Sequence, residues 1–213
     1  LLTANWLSAQ KTTPADARLQ SFEQHKTLKK NTLLGSLKPE NIGPSIFSCR
    51  VVDVEANPDD PTEMYVAYAS GGLWYSNNNG TTFSPVFDKE ASMTIGDIAV
   101  DWQRGILWVG TGESNSSRSS YAGTGIYRSA DAGKTWEYRG LPESHHIGRV
   151  VLHPTDPEVI WVAVLGHLYS PNADRGVYRS TDGGRSWKRT LFVYNTTGAV
   201  DLCLDPSAPN TLY

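Results

Sequence analysis

The stretch SADAGKTW, residues 129–136, occurs three times along the chain in related forms. It returns as STDGGRSW at residues 180–187 and, more loosely, as SNNNGTTF at residues 76–83. Each copy follows a similar apolar lead-in: GGLWYS, TGIYRS or RGVYRS. A motif that returns about every fifty residues is typical of a protein built from repeated supersecondary units. The repeat is therefore the unit of the fold.

Each copy has the residues of a tight hairpin turn. The lead-in alternates apolar and polar residues, which indicates a half-buried strand. A short acceptor side chain can then bind the turn's own amides, a glycine supplies a positive φ, and an aromatic ring packs back over the turn. These structural positions are Asn78, Gly80 and Phe83, then Asp131, Gly133 and Trp136, then Asp182, Gly184 and Trp187.

The pattern resembles the Asp-box, S-x-D-x-G-x-T-W, of BNR-type β-propellers, which include sialidases, xyloglucan-active glycoside hydrolases and the sortilin/Vps10 domain. In those families the motif connects the last two strands of a blade and is not catalytic. The second and third copies match it, whereas the first has Asn for Asp and Phe for Trp. The spacing is unlike an EF-hand loop, so we interpret each copy as a structural turn.

Four short strands in each repeat predict an all-β fold, a β-propeller of four-stranded antiparallel blades. Inner strands are expected at residues 48–58, 95–102, 147–154 and 197–206. We place the propeller at residues 39–213, with blades at about 45–92, 93–144 and 145–195 and the start of a fourth at 196–213. About three and a third blades leave open strand edges. We therefore expect a fragment of a larger propeller, whose remaining blades are partners of these.

Residues 1–38 stand apart as an N-terminal arm, with a helix expected at about 14–30. Thr13 suits an N-cap, Pro14 the first helical position and Asn31 a left-handed C-terminal cap. The apolar face, which includes Leu19 and Phe22, is thin. The helix is therefore expected to pack against the propeller. The alternative is an arm that binds a partner.

Composition excludes several functions. The formal net charge is −3 and the basic residues form no stripe, so we expect no nucleic-acid partner. No apolar run has the length of a membrane span. Nucleophile-elbow, P-loop and dinucleotide-binding fingerprints are absent from the sequence, and no cofactor is expected.

A narrower resemblance covers nearly the whole chain. The segments CRVVDVEANPDDP, GGLWYSNNNGTTF, HHIGR and RGVYRSTDGG, with NIGP near Asn41, are similar to large secreted bacterial proteins frequent in Bacteroidetes. These are known as sortilin-like or "glycosyl hydrolase" BNR-repeat proteins. The resemblance implies an extracytoplasmic location (secreted, periplasmic or cell surface) and a propeller fold, but it implies no defined reaction.

The order of strands in a blade predicts which rim carries function. The two longest insertions, residues 112–123 and 166–176, share one rim with KEASMT, ESHHIGR and YNTTG, and we call this the loop rim. The Asp-boxes and the NPDDP and HPTDP turns are expected on the opposite rim. Long polar loops on a rigid scaffold concentrate binding residues. The ligand-binding candidates are Arg118, Tyr121, His145, His146, Arg149, His167, Tyr169 and Arg175.

Other polar residues of this rim allow more than one chemistry. Glu113 and Asp174 are weak candidates for a glycosidase carboxylate pair, and the alternative is that both are solvated or paired with arginine. His145 and His146 together with His167 are an alternative zinc site, but adjacent histidines point apart, so no metal is expected there. Arg50 and Asp97 begin inner strands at the same repeat position as Arg149, where bracing of neighbouring blades is favoured over ligand contact.

Comparison with the enzymes of the resembled families favours binding. Xyloglucan-type hydrolases carry R-T-D-x-G-G after the second strand of the first blade, with the Asp catalytic. The matching stretch is AYASGG, residues 67–72, so Ala69 takes the place of that acid. The R-I-P motif of sialidases is also absent. We therefore predict a binding or scaffold module that engages a protein, peptide or glycan through the loop rim. The alternatives are a glycoside hydrolase with some acids outside this segment and a structural domain without a ligand.

Overall fold

The computed structural model describes residues 12–37, 49–117 and 120–213 of the 213-residue chain. These residues form helix α1 (Ala15–Asn31) and three four-stranded antiparallel sheets. The first sheet contains β1 (Val51–Ala56), β2 (Met64–Tyr68), β3 (Gly72–Ser76) and β4 (Ser84–Pro85). The second contains β5 (Ile95–Asp101), β6 (Ile106–Thr111), β7 (Ile126–Ser129) and β8 (Glu137–Tyr138). The third contains β9 (Ile147–Leu152), β10 (Ile160–Val164), β11 (Gly176–Ser180) and β12 (Lys188–Leu191).

Each sheet is a simple meander in which strands that follow one another along the chain are neighbours. The inner strands β1, β5 and β9 lie side by side, so the three sheets succeed one another as blades of a propeller. The predicted fold class is confirmed. After β12 the chain turns back into a further antiparallel pairing, in which Leu204 lies opposite Leu212. Cys203 and Tyr213 extend it with two backbone hydrogen bonds of 2.9 Å.

The hydrophobic core lies between blades rather than inside a single sheet. Tyr65 and Leu73 of the first blade pack with Leu107 and Tyr127 of the second. A second cluster joins the second and third blades and contains Ile126, Trp108, Ile147 and Val162, among others. A four-stranded sheet alone has two faces that must be covered, so each blade depends on its neighbours for burial.

At two glycines an inner strand lies too close to the backbone of the following repeat for a side chain. A Cβ at Gly96 would lie 1.8 Å from the carbonyl oxygen of Ile147 in the next blade. A Cβ at Gly148 would lie 2.1 Å from the carbonyl oxygen of Val200, which follows the third blade. These glycines let β5 and β9 touch the backbone of the next repeat.

The Asp-boxes form the predicted turns. In the second box, Asp131 accepts hydrogen bonds from the Thr135 amide at 2.8 Å and the Thr135 hydroxyl at 2.6 Å, and the Ser129 hydroxyl accepts from the Gly133 amide at 2.9 Å. The two bonds from Thr135 hold the pKa of the Asp131 carboxyl down at about 2. The third box repeats the pattern around Asp182, and the first uses the neutral amide of Asn78. The box glycines all have positive φ: Gly80 (73°), Gly133 (82°) and Gly184 (78°).

The tryptophans of the boxes have a role beyond their own turns. The indole N–H of Trp136 donates to the carbonyl of Val86 at 2.7 Å, and that of Trp187 donates to the carbonyl of Arg139 at 2.7 Å. Both acceptors belong to the preceding blade. The box therefore connects successive blades as well as the last two strands of its own. Phe83 has no N–H to donate and is 40% exposed.

The N-terminal helix forms close to the predicted range, but both predicted caps are wrong. No side-chain cap is made at its start, where Pro14 is the residue before the first turn. The amide of Ala15 instead donates to the carboxylate of Glu143, 128 residues away in sequence, at 2.7 Å. A carboxylate at this end is favourable because the helix dipole is positive there. Asn31 belongs to the helix, which ends at an extended Thr32.

Candidate functional site

The connecting segments predicted to form the loop rim contact one another in the structure. The Gly123 amide donates to the carbonyl of His145 at 2.7 Å, which joins the long insertion of the second blade to the segment before β9. The Tyr169 hydroxyl donates to the carbonyl of Ser117 at 2.9 Å and so joins the two longest insertions. On the opposite rim, the box amide of Ala132 donates to the carbonyl of Gly105. The two rims are therefore occupied as the strand order predicts.

Within this rim, Glu113 forms an ion pair with Arg50. Its side chain is fully buried, and its two oxygens accept from Nε and Nη2 of Arg50 at 2.7 and 2.6 Å. Arg50 starts the first blade and Glu113 follows β6 of the second, so the pair braces two blades. Bidentate pairing of this kind between arginine and a carboxylate is among the strongest charge-assisted hydrogen bonds. Glu113 is not the exposed carboxylate that a glycosidase pair with Asp174 requires. It fits instead the alternative stated above, a carboxylate paired with arginine.

Arg149 makes the equivalent brace one blade further on. Its guanidinium donates to Asp97 of β5 at 3.2 Å and to Asp201 at 2.7 Å. The other oxygen of Asp97 accepts from the Val150 amide at 2.7 Å. Burial raises the pKa of Asp97 to about 8, although the Val150 amide and Arg149 both oppose the shift. These contacts support bracing over ligand contact for Asp97 and Arg149.

The rim histidines separate into two environments. His146 is buried, and its Nδ1 lies 2.8 Å from the carbonyl oxygen of Glu113. His145 is also buried, but its ring lies against that of His167, with centroids 3.6 Å apart and planes inclined at 46°. Burial lowers the pKa of both His145 and His146 to about 4, so both imidazoles are neutral at pH 7. Adjacent histidines do diverge, as the sequence predicted, with centroids 6.4 Å apart.

Glu143 completes the group around His145. Its Oε2 lies 3.3 Å from Nε2 of His145. Glu143, His145 and His167 each offer one ligand-type atom, and these atoms all lie within 4.8 Å of one another. Glu143 was not among the site residues predicted from the sequence. The available signal was its position two residues before His145 in ESHH. The sequence did suggest that His167 could join His145 and His146 around a metal, and the structure brings His167 to His145 and Glu143.

The remaining candidates differ in exposure. Tyr121 and Tyr169 are 60% and 73% exposed, so they present their rings at the surface of the loop rim. Arg175, a ligand-binding candidate by sequence, is buried, and its guanidinium donates to the carbonyl of His167. His145 and His146 are also buried, so none of these three presents its side chain at the surface. Arg118 lies outside the described residues.

Two further carboxyl groups have raised pKa values. Burial and the neighbouring Asp53 raise the pKa of Glu55, on inner strand β1, to about 7. Burial and Glu143 raise the pKa of Asp174, in the second long insertion. Glu55 could not be singled out from the sequence, since acidic residues are common on half-exposed strands. A carboxyl group with a pKa near neutrality is suited to proton transfer.

Comparison with known proteins agrees with the repeat and the fold. The BNR/Asp-box repeat profile matches residues 178–189. The chain carries a BNR/Asp-box repeat. It is 25% identical over 146 residues to a protein of Neosartorya fischeri described as "Probable oligoxyloglucan-reducing end-specific xyloglucanase". That alignment covers 64% of this chain and 16% of the relative, so the chain spans about a sixth of the relative's length.

Solved structures show the propeller fold at low sequence identity. The GH74 enzyme of Niastella koreensis aligns with a TM-score of 0.52 and 20% identity over 72% of this chain and 24% of its own. An ancestral GH74 enzyme aligns with a TM-score of 0.50 and 21% identity, over 67% of this chain and 18% of its own. YCF48 bound to D1 peptide aligns with a TM-score of 0.50 and 14% identity, over 75% of this chain and 46% of its own. Across the described ranges, no helix has both the length and the apolar character that a membrane crossing requires.

Proposed function

We propose that this propeller is a binding module that engages a protein, peptide or glycan through the loop rim. The observation that carries the proposal is the pair of exposed tyrosine rings, Tyr121 and Tyr169, on the two longest insertions. The hydrogen bond from Tyr169 to Ser117 fixes one insertion against the other. Aromatic rings held in place on a rigid scaffold contribute binding area at a small cost in conformational entropy.

The chemistry behind these rings supports binding rather than hydrolysis. Glu113 is occupied by Arg50, and Asp97 by Arg149 and the Val150 amide. Ala69, which stands where the resembled hydrolases carry an acid, is buried in the first blade. The carboxylates of Glu113 and Asp97 therefore join neighbouring blades through arginine.

Proteins of similar fold support both ligand classes. The name of the curated relative describes a xyloglucanase, and the YCF48 structure contains a bound peptide. We also propose that the chain is part of a secreted or cell-surface, sortilin-like bacterial protein. Further blades of that protein would complete the ring.

The test is ligand binding by the full-length protein on arrays of polysaccharide fragments, glycoproteins and unstructured peptides. The double variant Tyr121→Ala, Tyr169→Ala should bind its best ligand at least about tenfold more weakly, since two aromatic contacts are lost. Phe83→Ala is the matched control, because it removes a ring from the opposite rim. Equal affinity of the double variant and the unchanged protein, or no binding to any probe, contradicts the proposal.

A glycoside hydrolase is the second candidate, favoured by the xyloglucanase relative and by the raised pKa of Glu55. The same full-length protein is assayed for product release from xyloglucan and other polysaccharides at pH 6 to 7. Turnover that disappears in Glu55→Gln would replace the binding proposal by hydrolysis with an inner-strand acid. Turnover that survives in this variant would assign the acids elsewhere in the full-length protein.

A further inference from the structure

The segment before β9 brings a carboxylate and two imidazoles together. Nε2 of His145 and Oε2 of Glu143 are 3.3 Å apart, and the ring of His167 lies against that of His145 at a tilt of 46°. All three candidate ligand atoms lie within 4.8 Å of one another. Around a tetrahedral zinc ion with bonds of about 2.0–2.2 Å, ligand atoms lie about 3.5 Å apart. The Glu143–His145 pair already has about this separation, and the ligand atom of His167 lies within 4.8 Å of both, so binding requires its ring to turn toward the ion.

We propose that Glu143, His145 and His167 form a binding site for a divalent transition metal ion of the zinc type. Two imidazoles and one carboxylate are three of the four ligands of a zinc site, and the fourth position stays open for water or for a donor atom of a ligand. Mg²⁺ and Ca²⁺ are disfavoured here because both prefer all-oxygen coordination.

Outer hydrogen bonds hold two of the three side chains in orientation. The second oxygen of Glu143, Oε1, accepts from the Ala15 amide at the start of α1 at 2.7 Å, which leaves Oε2 for the ion. Nδ1 of His167 lies 3.3 Å from the Ser170 hydroxyl, which leaves Nε2 for the ion. Natural metal sites show this arrangement, in which the atom that does not bind the metal is fixed by a partner.

The backbone of His145 also directs its ring to the group. Its φ of 53° and ψ of −53° lie in a region that residues with a side chain seldom adopt. The hydrogen bond from the Gly123 amide to the His145 carbonyl secures this conformation. The conformation separates its ring from that of His146 and places it on His167.

Charge and access are compatible with a cation. The charged groups that act on His167 are the carboxylates Glu143 and Asp174 and the guanidinium groups of Arg18 and Arg175, so the positive charges are matched. A groove of about 290 Å³ borders the site and is lined by Glu143 and Asp174, among other residues. His167 is only partly buried, which leaves a route for the ion from solvent.

The experiment is Zn²⁺ titration of the full-length protein after chelator treatment, with a colorimetric chelator as competitor and no rim ligand present. The unchanged protein should bind one more equivalent of Zn²⁺ than His167→Gln or Glu143→Gln, and excess Mg²⁺ or Ca²⁺ should not compete. His25→Gln, which removes an exposed histidine of α1 outside the group, is the matched control and should retain that equivalent. Equal stoichiometry and affinity in all four proteins would overturn the proposal.

Two further measurements distinguish the loss of a metal ligand from misfolding of a variant. Zn²⁺ should raise the melting temperature of the unchanged protein and of His25→Gln, but not that of His167→Gln. Ser170→Ala keeps all three ligands and removes only the partner of His167, so its Zn²⁺ affinity should fall about tenfold. An unchanged affinity in Ser170→Ala together with an unchanged melting response in His167→Gln would also refute the site. Because no rim ligand takes part, these results are independent of the proposed binding function.

Discussion

The ion pair between Arg50 and Glu113 allows a test of how the first two blades are held together. The two partners are unequally buried, because the Glu113 side chain is fully buried and that of Arg50 is 47% exposed. Arg50→Met leaves a buried carboxylate without its cation, which costs about 3–5 kcal/mol in the free energy of unfolding. Glu113→Gln leaves a cation that water can still reach, and the cost should be about 1–2 kcal/mol.

The double variant Arg50→Met, Glu113→Gln should be more stable than Arg50→Met alone, since no unpaired charge remains in the interior. The assay is urea unfolding of the full-length protein followed by tryptophan fluorescence, with the slope of the transition compared among variants. Arg104→Met is the matched control. It breaks a more exposed pair with Asp101 and should cost less than about 1 kcal/mol. Equal costs for the two single variants, or a cost for Arg50→Met below that of Arg104→Met, would refute this account of the brace.

Two further predictions concern the Asp-boxes. Trp187→Phe removes the indole donor from the carbonyl of Arg139 and should lower the free energy of unfolding by about 1–2 kcal/mol, measured by the same urea assay; no change would show that the inter-blade bond contributes nothing. Because the folded pKa of Asp131 is lowered from 3.8 to about 2, its stabilising effect is complete above pH 4 and is lost as the pH falls through 2. Hydrogen exchange, corrected for intrinsic rates, should therefore show less protection of the Thr135 amide at pH 3 than at pH 5. The Thr82 amide, which binds a neutral side chain, should change less, and parallel behaviour of the two amides would contradict the reasoning.

The fold could be predicted from the sequence because the repeat is encoded locally. An acceptor side chain, a glycine and an alternating strand determine a hairpin within a few residues, and three such hairpins determine the blades. Strand ends differ by a few residues, as for β1, expected within residues 48–58 and observed at Val51–Ala56. The rim assignment followed from strand order alone. None of these inferences required knowledge of a contact between distant residues.

The candidate site was less predictable because its contacts cross blades. The sequence indicated that Glu113 might be paired with arginine, but not that Arg50, 63 residues earlier, is the partner. Glu143 was missed because its partners come from α1 and from the insertion after β10. The exposure of a loop residue depends on which neighbouring loop covers it. For this reason the sequence did not show that Arg175 and His146, two of the ligand-binding candidates, are buried.

The indole bonds of the Asp-boxes give the propeller a direction. The carbonyls of Val86 and Arg139 lie just beyond the last strands of their blades, and each receives its hydrogen bond from a tryptophan about fifty residues later in the chain. During synthesis, the closing segment of one blade therefore stays unsecured until the ribosome has delivered the next box. The second and third boxes each secure the end of the blade before them, so we expect these blades to be completed in the order of the chain.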